Sequence, residues 1–434
     1  MFLRLARIVL LVILFAAPLG FGAVQPWAWG LLGAAVAFLL LLWGAACALD
    51  KMVRIYWSPI YLPALGFLAI AGVQCCAGLT LDQAATKEAL CKLTTDLVLF
   101  FLVGQLLAEA DKRDWREMGL AITCYSFAMG LFAILQFSCR QNLIHWALRS
   151  TSNLFGTYVN RNHYAGLVEM LIPLAVAGAV PTIRRFRSKG GLLVFLALFP
   201  ITSLLLSGSR GGFVSLTVEA LVATTVIFLY APWRALKTAA TTGASLILSA
   251  ALLFFWIASS QNEEHLAILA NATQSIEVTW GDRWSVARDS LRILRDRPWL
   301  GSGLGSFETV LPRYQSFPSD LIWDHAHNEY AEALAETGST GGALVLFTLG
   351  LFLWLVFRNL GERLRHSIGW IQFGAALGCC GLLVHSFVDF NLHIPANGAW
   401  FAACAALATL RTSPAEADFT GGPGGGRLSL ADCA

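Results

Sequence analysis

Apolar windows about twenty residues long follow one another along this chain, and a run of that length with few charges is what a helix needs to cross a lipid bilayer. Twelve such windows lie near residues 5–24, 27–49, 59–79, 89–108, 115–138, 163–183, 191–207, 211–230, 238–258, 338–357, 367–386 and 396–410. Lipid offers no water to orphaned backbone groups, so each window predicts a helix whatever its β-branched content. The expected fold is therefore all-α, a polytopic integral membrane protein of about 12 transmembrane helices. Only 13% of the 434 residues are charged and 57% are hydrophobic, against roughly a quarter charged in soluble domains. This excludes a soluble enzyme and a disordered chain.

Net charge is +3, too small an excess to argue for nucleic acid, and none is expected as a partner. Placement is more informative. With the N-terminus in the cytoplasm, eighteen of the 30 Lys and Arg fall in cytoplasmic segments, and every such segment holds some. That is the positive-inside pattern, and an even number of spans leaves both termini cytoplasmic. Arg4 and Arg7 ahead of the first apolar run could mark a signal peptide, but a second span follows at once, which favours an uncleaved helix. Most of the ten cysteines lie within apolar runs without a CxxC pair, as small hydrophobes do.

Five regions result: N-terminal spans in 1–138, central spans in 139–258, a large external loop in 259–337, C-terminal spans in 338–410 and a Gly-rich tail in 411–434 that reads as disordered. The 259–337 loop is too long for a connector and too rich in Trp, Phe and Leu for disorder, so short helices over the end of the bundle are expected.

Polar groups at a membrane edge are expensive and point to function. Three clusters stand out on the external side: Asn160-Arg161-Asn162-His163, Ser207-Gly208-Ser209-Arg210-Gly211-Gly212, and Asp324-His325-Ala326-His327-Asn328-Glu329. Arg210 sits among glycines at a helix start, where an anion can approach closely; it could equally snorkel to headgroups, and Arg161 shares that ambiguity. Histidine is the side chain best suited to moving a proton near neutral pH. His325-x-His327 could also be half of a metal site, but the sequence offers no third and fourth ligand at suitable spacing, so no metal is assigned. Asp324, Glu329 and Glu332 could orient the histidine, but Glu332 and Glu336, four residues apart, read rather as the solvated side of a helix's first turns. Trp280, Trp284, Trp299, Phe307, Tyr314, Phe317 and Trp323 suit either sugar stacking or an interfacial belt.

His327-Asn328, nine residues, then Gly338-Ser339-Thr340-Gly341 resembles the signature of the bacterial O-antigen ligase and polymerase superfamily (Wzy-C). Further blocks resemble it in the same order: Phe155-Gly156-Thr157 through His163, Ser209-Arg210-Gly211-Gly212, Arg283 leading to Pro298-Trp299-Leu300-Gly301-Ser302-Gly303-Leu304-Gly305, and His385-Ser386-Phe387-Val388-Asp389-Phe390-Asn391. The resemblance covers about residues 150–400. It implies a GT-C-like glycosyltransferase of the bacterial inner membrane, working on the periplasmic face without metal or other cofactor. It also implies an undecaprenyl-diphosphate-linked glycan as donor, and an acceptor hydroxyl on lipid A–core, another glycan or a protein. Arg161, Arg210 and Arg283 fall at positions expected to hold the diphosphate, His327 is the expected general base, and His325, Asn328 and His163 are expected to support it. A diphosphate leaving group gathers negative charge as its bond breaks, which preorganised Arg groups stabilise. Two rival readings are a transporter or flippase of lipid-linked sugars, which predicts inverted repeats with broken helices, and a non-catalytic scaffold, which needs neither His327 nor the Arg set.

Overall fold

The computed structural model describes residues 2–50, 52–139, 143–144, 148–149, 154–185, 190–230, 280–319, 322–410 and 427–429. Eleven of the twelve apolar windows are helical; the window at 238–258 lies outside the described residues. The longer helices are α1 (Phe2–Ala16), α2 (Pro26–Leu49), α3 (Tyr61–Cys76), α4 (Gln83–Ala108), α5 (Lys112–Ser138), α6 (Arg161–Arg185), α7 (Gly190–Ser207), α8 (Arg210–Tyr230), α9 (Trp280–Asp296), α10 (Glu329–Phe357), α11 (Ser367–His385) and α12 (Pro395–Thr409), with single turns at Phe307–Val310 and Leu360–Arg363. Seven of these described segments are long and apolar enough to cross a membrane, beginning with α1, which runs on through turns to Leu19.

Local signals set the helix starts. Asp82 accepts from Ala84 N and Ala85 N at the head of α4, and Asp111 and Asp114 form a reciprocal capping box on α5. The bundle is built around α6, whose residues 163–175 are buried without interruption, His163 and Glu169 among them. Around it pack α5, α7, α8, α11 and α12. The α5–α6 crossing is close because Gly119 faces Gly178, where a Cβ on Gly119 would lie 2.7 Å from the Gly178 carbonyl oxygen. By contrast, α2 turns Leu31, Phe38 and Leu41 outward, which suits a lipid-facing helix. α1 joins the bundle through buried Leu10 and Leu14, and Trp400 Nε1 donates to Leu14 O at 2.8 Å.

The described part of the long loop forms short helices over the head of α10. Val286 and Ile293 of α9 share a small core with Phe307, Val310, Leu311, Trp323, Ala326 and Ala335. The helix of the expected window 338–357 is preceded by helical residues from Glu329, with a kink between the two at Gly338 (φ +67°, ψ −168°). Within the tail, Arg427–Ser429 pairs antiparallel with Met52–Arg54.

Candidate active site

The head of α10 is stitched to the segment that follows α11. Asn328 caps α10 by accepting from Ala331 N at 2.9 Å, and its amide donates to Phe387 O at 3.0 Å. Glu329 N donates to Ser386 O at 2.9 Å, Tyr330 Oη to Leu383 O at 2.7 Å, and Leu392 N to Glu329 Oε1 at 2.6 Å. The Asn of the His-Asn pair thus plays a structural part, fixing the turn that carries His327. His327 itself holds φ +49°, uncommon for a residue with a Cβ and sustained only where surrounding bonds over-determine it.

Those bonds bring His327 to Asp389. The Asp389 carboxylate is fully buried, with His327 Nδ1 at 3.6 Å, His163 Nε2 at 3.7 Å and Arg283 Nη1 at 4.0 Å. Arg283 Nη1 also donates to Val388 O, one residue away. Burial alone would raise the Asp389 carboxyl, but the His163 and His327 imidazoles outweigh it and hold it well below the usual carboxylate range. His163 is set by the start of α6, where Asn397 Nδ2 donates to His163 O at 2.9 Å and Tyr158 Oη to Asn397 Oδ1 at 2.7 Å. Three of the residues singled out in the sequence, His163, Arg283 and His327, therefore meet on one buried carboxylate. Asp389 itself stands in the sequence only as one member of a motif block; no local pattern marks it, since its partners lie 62 to 226 residues earlier.

Phe390 separates this cluster from a second one, its ring 4.9 Å from that of His327 and 4.4 Å from that of His325. His325 Nδ1 meets Glu332 Oε1 at 2.7 Å, and Ala326 N donates to Glu332 Oε2 at 2.7 Å. His393, from the turn before α12, sits between Glu329 (2.9 Å) and Glu332 (3.3 Å). Burial opposes charge on the His393 imidazole, but the Glu329 and Glu332 carboxylates prevail and push it up to about 10.

Glu332 and Glu336 are not the solvated side of α10. Each is 1% exposed, because the 298–307 loop and His325 close over them. Glu336 accepts from Gly305 N at 2.8 Å and Phe307 N at 2.9 Å, and Gln74 of α3 donates to Leu300 O and Glu336 O. A buried carboxylate that accepts backbone N–H groups replaces the solvent it lost. Among the aromatics, Phe307 and Trp323 are core, whereas Trp284 and Trp299 are exposed.

Arg161, at the head of α6, lies against the turn before α8: a Cβ on Gly208 would be 3.3 Å from Arg161 Nη1. Arg210 opens α8, exposed and without a hydrogen bond or ion pair among the described residues. The structure thus joins Arg161 to the glycine turn but does not bring Arg210 onto Asp389. His385, at the end of α11, pairs instead with Glu169 of α6 at 3.1 Å.

Residues 193–347 match the O-Antigen ligase family model. The match takes in Arg210, Arg283, His325, His327 and Asn328, and bears out the resemblance to the O-antigen ligase and polymerase superfamily read from the motifs. His163, Arg161 and Asp389 lie outside the matched stretch and reach it through the contacts above. No curated protein matches the chain.

Proposed function

We propose that this protein transfers a glycan from an undecaprenyl-diphosphate carrier to an acceptor hydroxyl on the periplasmic face of the bacterial inner membrane, with both termini in the cytoplasm. The observation that carries this reading is the buried Asp389 with His327, His163 and Arg283 around it, at the end of the bundle where Arg161 meets the 207–212 turn. His327 Nδ1 faces Asp389, which leaves Nε2 for the acceptor. In the step as proposed, His327 Nε2 takes the acceptor proton, the acceptor oxygen forms a bond to the anomeric carbon, and the bond from that carbon to the diphosphate oxygen breaks with inversion. The departing diphosphate carries the electron pair, and Arg161, Arg210 and Arg283 balance its charge. Arg210, with no partner among the described residues, is open to a ligand. No metal and no other cofactor takes part in this step. Lipid A–core and a second carrier-linked glycan are the two acceptors to distinguish.

The test is reconstituted transfer from an undecaprenyl-diphosphate glycan, offering each acceptor in a separate reaction. Product on lipid A–core makes the protein a ligase; a lengthened carrier-linked glycan makes it a polymerase. His327→Ala is expected to abolish transfer with carrier binding retained, and Arg210→Ala to weaken use of the carrier. Normal turnover by purified His327→Ala would overturn the base assignment. Movement of carrier across the bilayer with no product would favour a transporter instead.

A further inference from the structure

The second cluster carries chemistry that the transfer step does not use. One ligand atom from each of His325, Glu332 and His393 lies within 4.8 Å of the other two, and His325 Nδ1 and His393 Nε2 both face Glu332 Oε1. Two of the separations are 2.7 and 3.3 Å. Bonds of about 2.1 Å at tetrahedral angles place ligand atoms about 3.4 Å apart, so small side-chain shifts accommodate an ion. We propose that His325, Glu332 and His393 form a site for a divalent transition-metal ion of the zinc class, bracing the loop that carries His327 against the segment before α12.

Two independent features support this assignment. The first is the outer layer: the remaining ring nitrogen of His393, Nδ1, faces Glu329 Oε2 at 2.9 Å, and the remaining oxygen of Glu332 accepts from Ala326 N. A carboxylate on the far nitrogen of a ligating histidine is the usual way of fixing its tautomer and orientation. The second is charge. Glu329 and Glu332 are two carboxylates 8% and 1% exposed, and a dication held with two neutral imidazoles balances both. Two nitrogens and one oxygen suit zinc better than magnesium or calcium, which prefer all-oxygen sets. His325 and His393 keep 25% and 30% side-chain exposure, enough for entry and for water as a fourth ligand.

The experiment uses the full-length protein in detergent. Metal content is measured as purified, and the chelator-stripped protein is then titrated with Zn²⁺ by thermal unfolding and with Co²⁺ by visible absorption. The expected result is one equivalent per chain, a rise in unfolding temperature, and a cobalt spectrum of nitrogen and oxygen ligands without thiolate bands. Affinity should fall about 100-fold in His393→Ala and Glu332→Gln, and remain unchanged in His366→Ala, an exposed histidine elsewhere. Wild-type protein with neither bound metal nor a thermal shift overturns the proposal, as do thiolate bands or undiminished binding by His393→Ala. If His393→Ala does not fold, the wild-type stoichiometry and spectrum decide. His327→Ala should lose transfer and still bind Zn²⁺, which separates failure of this site from failure of the transfer reading.

Discussion

Gly338→Ala tests the link between the signature glycine and the loop that packs on it. Gly338 holds φ +67° and ψ −168°, a region essentially closed to residues with a Cβ, and an alanine there costs about 1–3 kcal/mol in backbone strain. The new Cβ would also lie 2.6 Å from Leu300 N and against the Trp299 carbonyl. These neighbours are backbone and cannot rotate away. Moving them aside breaks the bonds from Ser339 N to Pro298 O (2.7 Å) and from Thr340 N to Trp299 O (3.3 Å); these residues are exposed, so each lost bond adds about 0.5–1.5 kcal/mol. The total is about 3–5 kcal/mol, a large share of the roughly 5–15 kcal/mol typical of a folded domain. Thermal unfolding in detergent, followed by Trp fluorescence, should show Gly338→Ala unfolding well below wild type. Gly350→Ala is the internal control: its Cβ would meet nothing within 4 Å, and an alanine in a helix interior gains about 0.5–1 kcal/mol. If Gly338→Ala and Gly350→Ala unfold at the same temperature, the close docking of the 298–301 loop on the α10 kink is wrong.

Asp389→Asn leaves the Arg283 guanidinium without its carboxylate and should destabilise the protein by about 3 kcal/mol, with a fall in kcat of about 10²–10³-fold, since a general base loses its orienting group. The Asp389 carboxyl is held low, so its contribution to stability is present above the ordinary value of 3.8 and lost only as pH falls through the still lower folded value. The wild-type advantage over Asp389→Asn in unfolding temperature should therefore persist from about pH 7 to pH 5. An advantage that vanished by about pH 5 would refute the assignment. Glu336→Ala orphans Gly305 N and Phe307 N, for a loss of about 2–4 kcal/mol, visible as faster proteolysis in the 298–310 loop. Unchanged cleavage there would show that Glu336 does not hold it.

The spans are legible in the sequence because lipid leaves the backbone one way to satisfy itself, so a windowed hydropathy pattern reads directly as helices. The motif order also carries His163, Arg283 and His327 to one place. What is not legible is long-range and polar. Glu332 and Glu336 have the same i,i+4 spacing whether they face water or accept buried N–H groups, and only the 298–307 loop, some thirty residues earlier, decides which. His393 reaches His325 from 68 residues away, and Gln74 reaches Leu300 from 226. No local periodicity encodes such meetings.

Two histidines two residues apart serve different surroundings, and that difference favours His327 as the base. His325 Nδ1 is committed to Glu332, inside a group that also contains Glu329 and His393. His327 Nδ1 faces the single carboxylate of Asp389, which is shared with His163 and Arg283. The turn between them is held by the Asn328 cap and by Ala326 N on Glu332, and the positive φ at His327 is what sends the two rings to opposite clusters. A relaxed backbone at His327 would lose that separation. Strain maintained by bonds on both sides is a sign that the separation matters, because a turn without such a demand would adopt an ordinary conformation. Titratable groups whose environments are kept apart in this way are how one site assigns distinct roles to like side chains. The separation therefore supports the proposal that His327 pairs with Asp389 for proton transfer, with His325 in the cluster proposed to hold the loop.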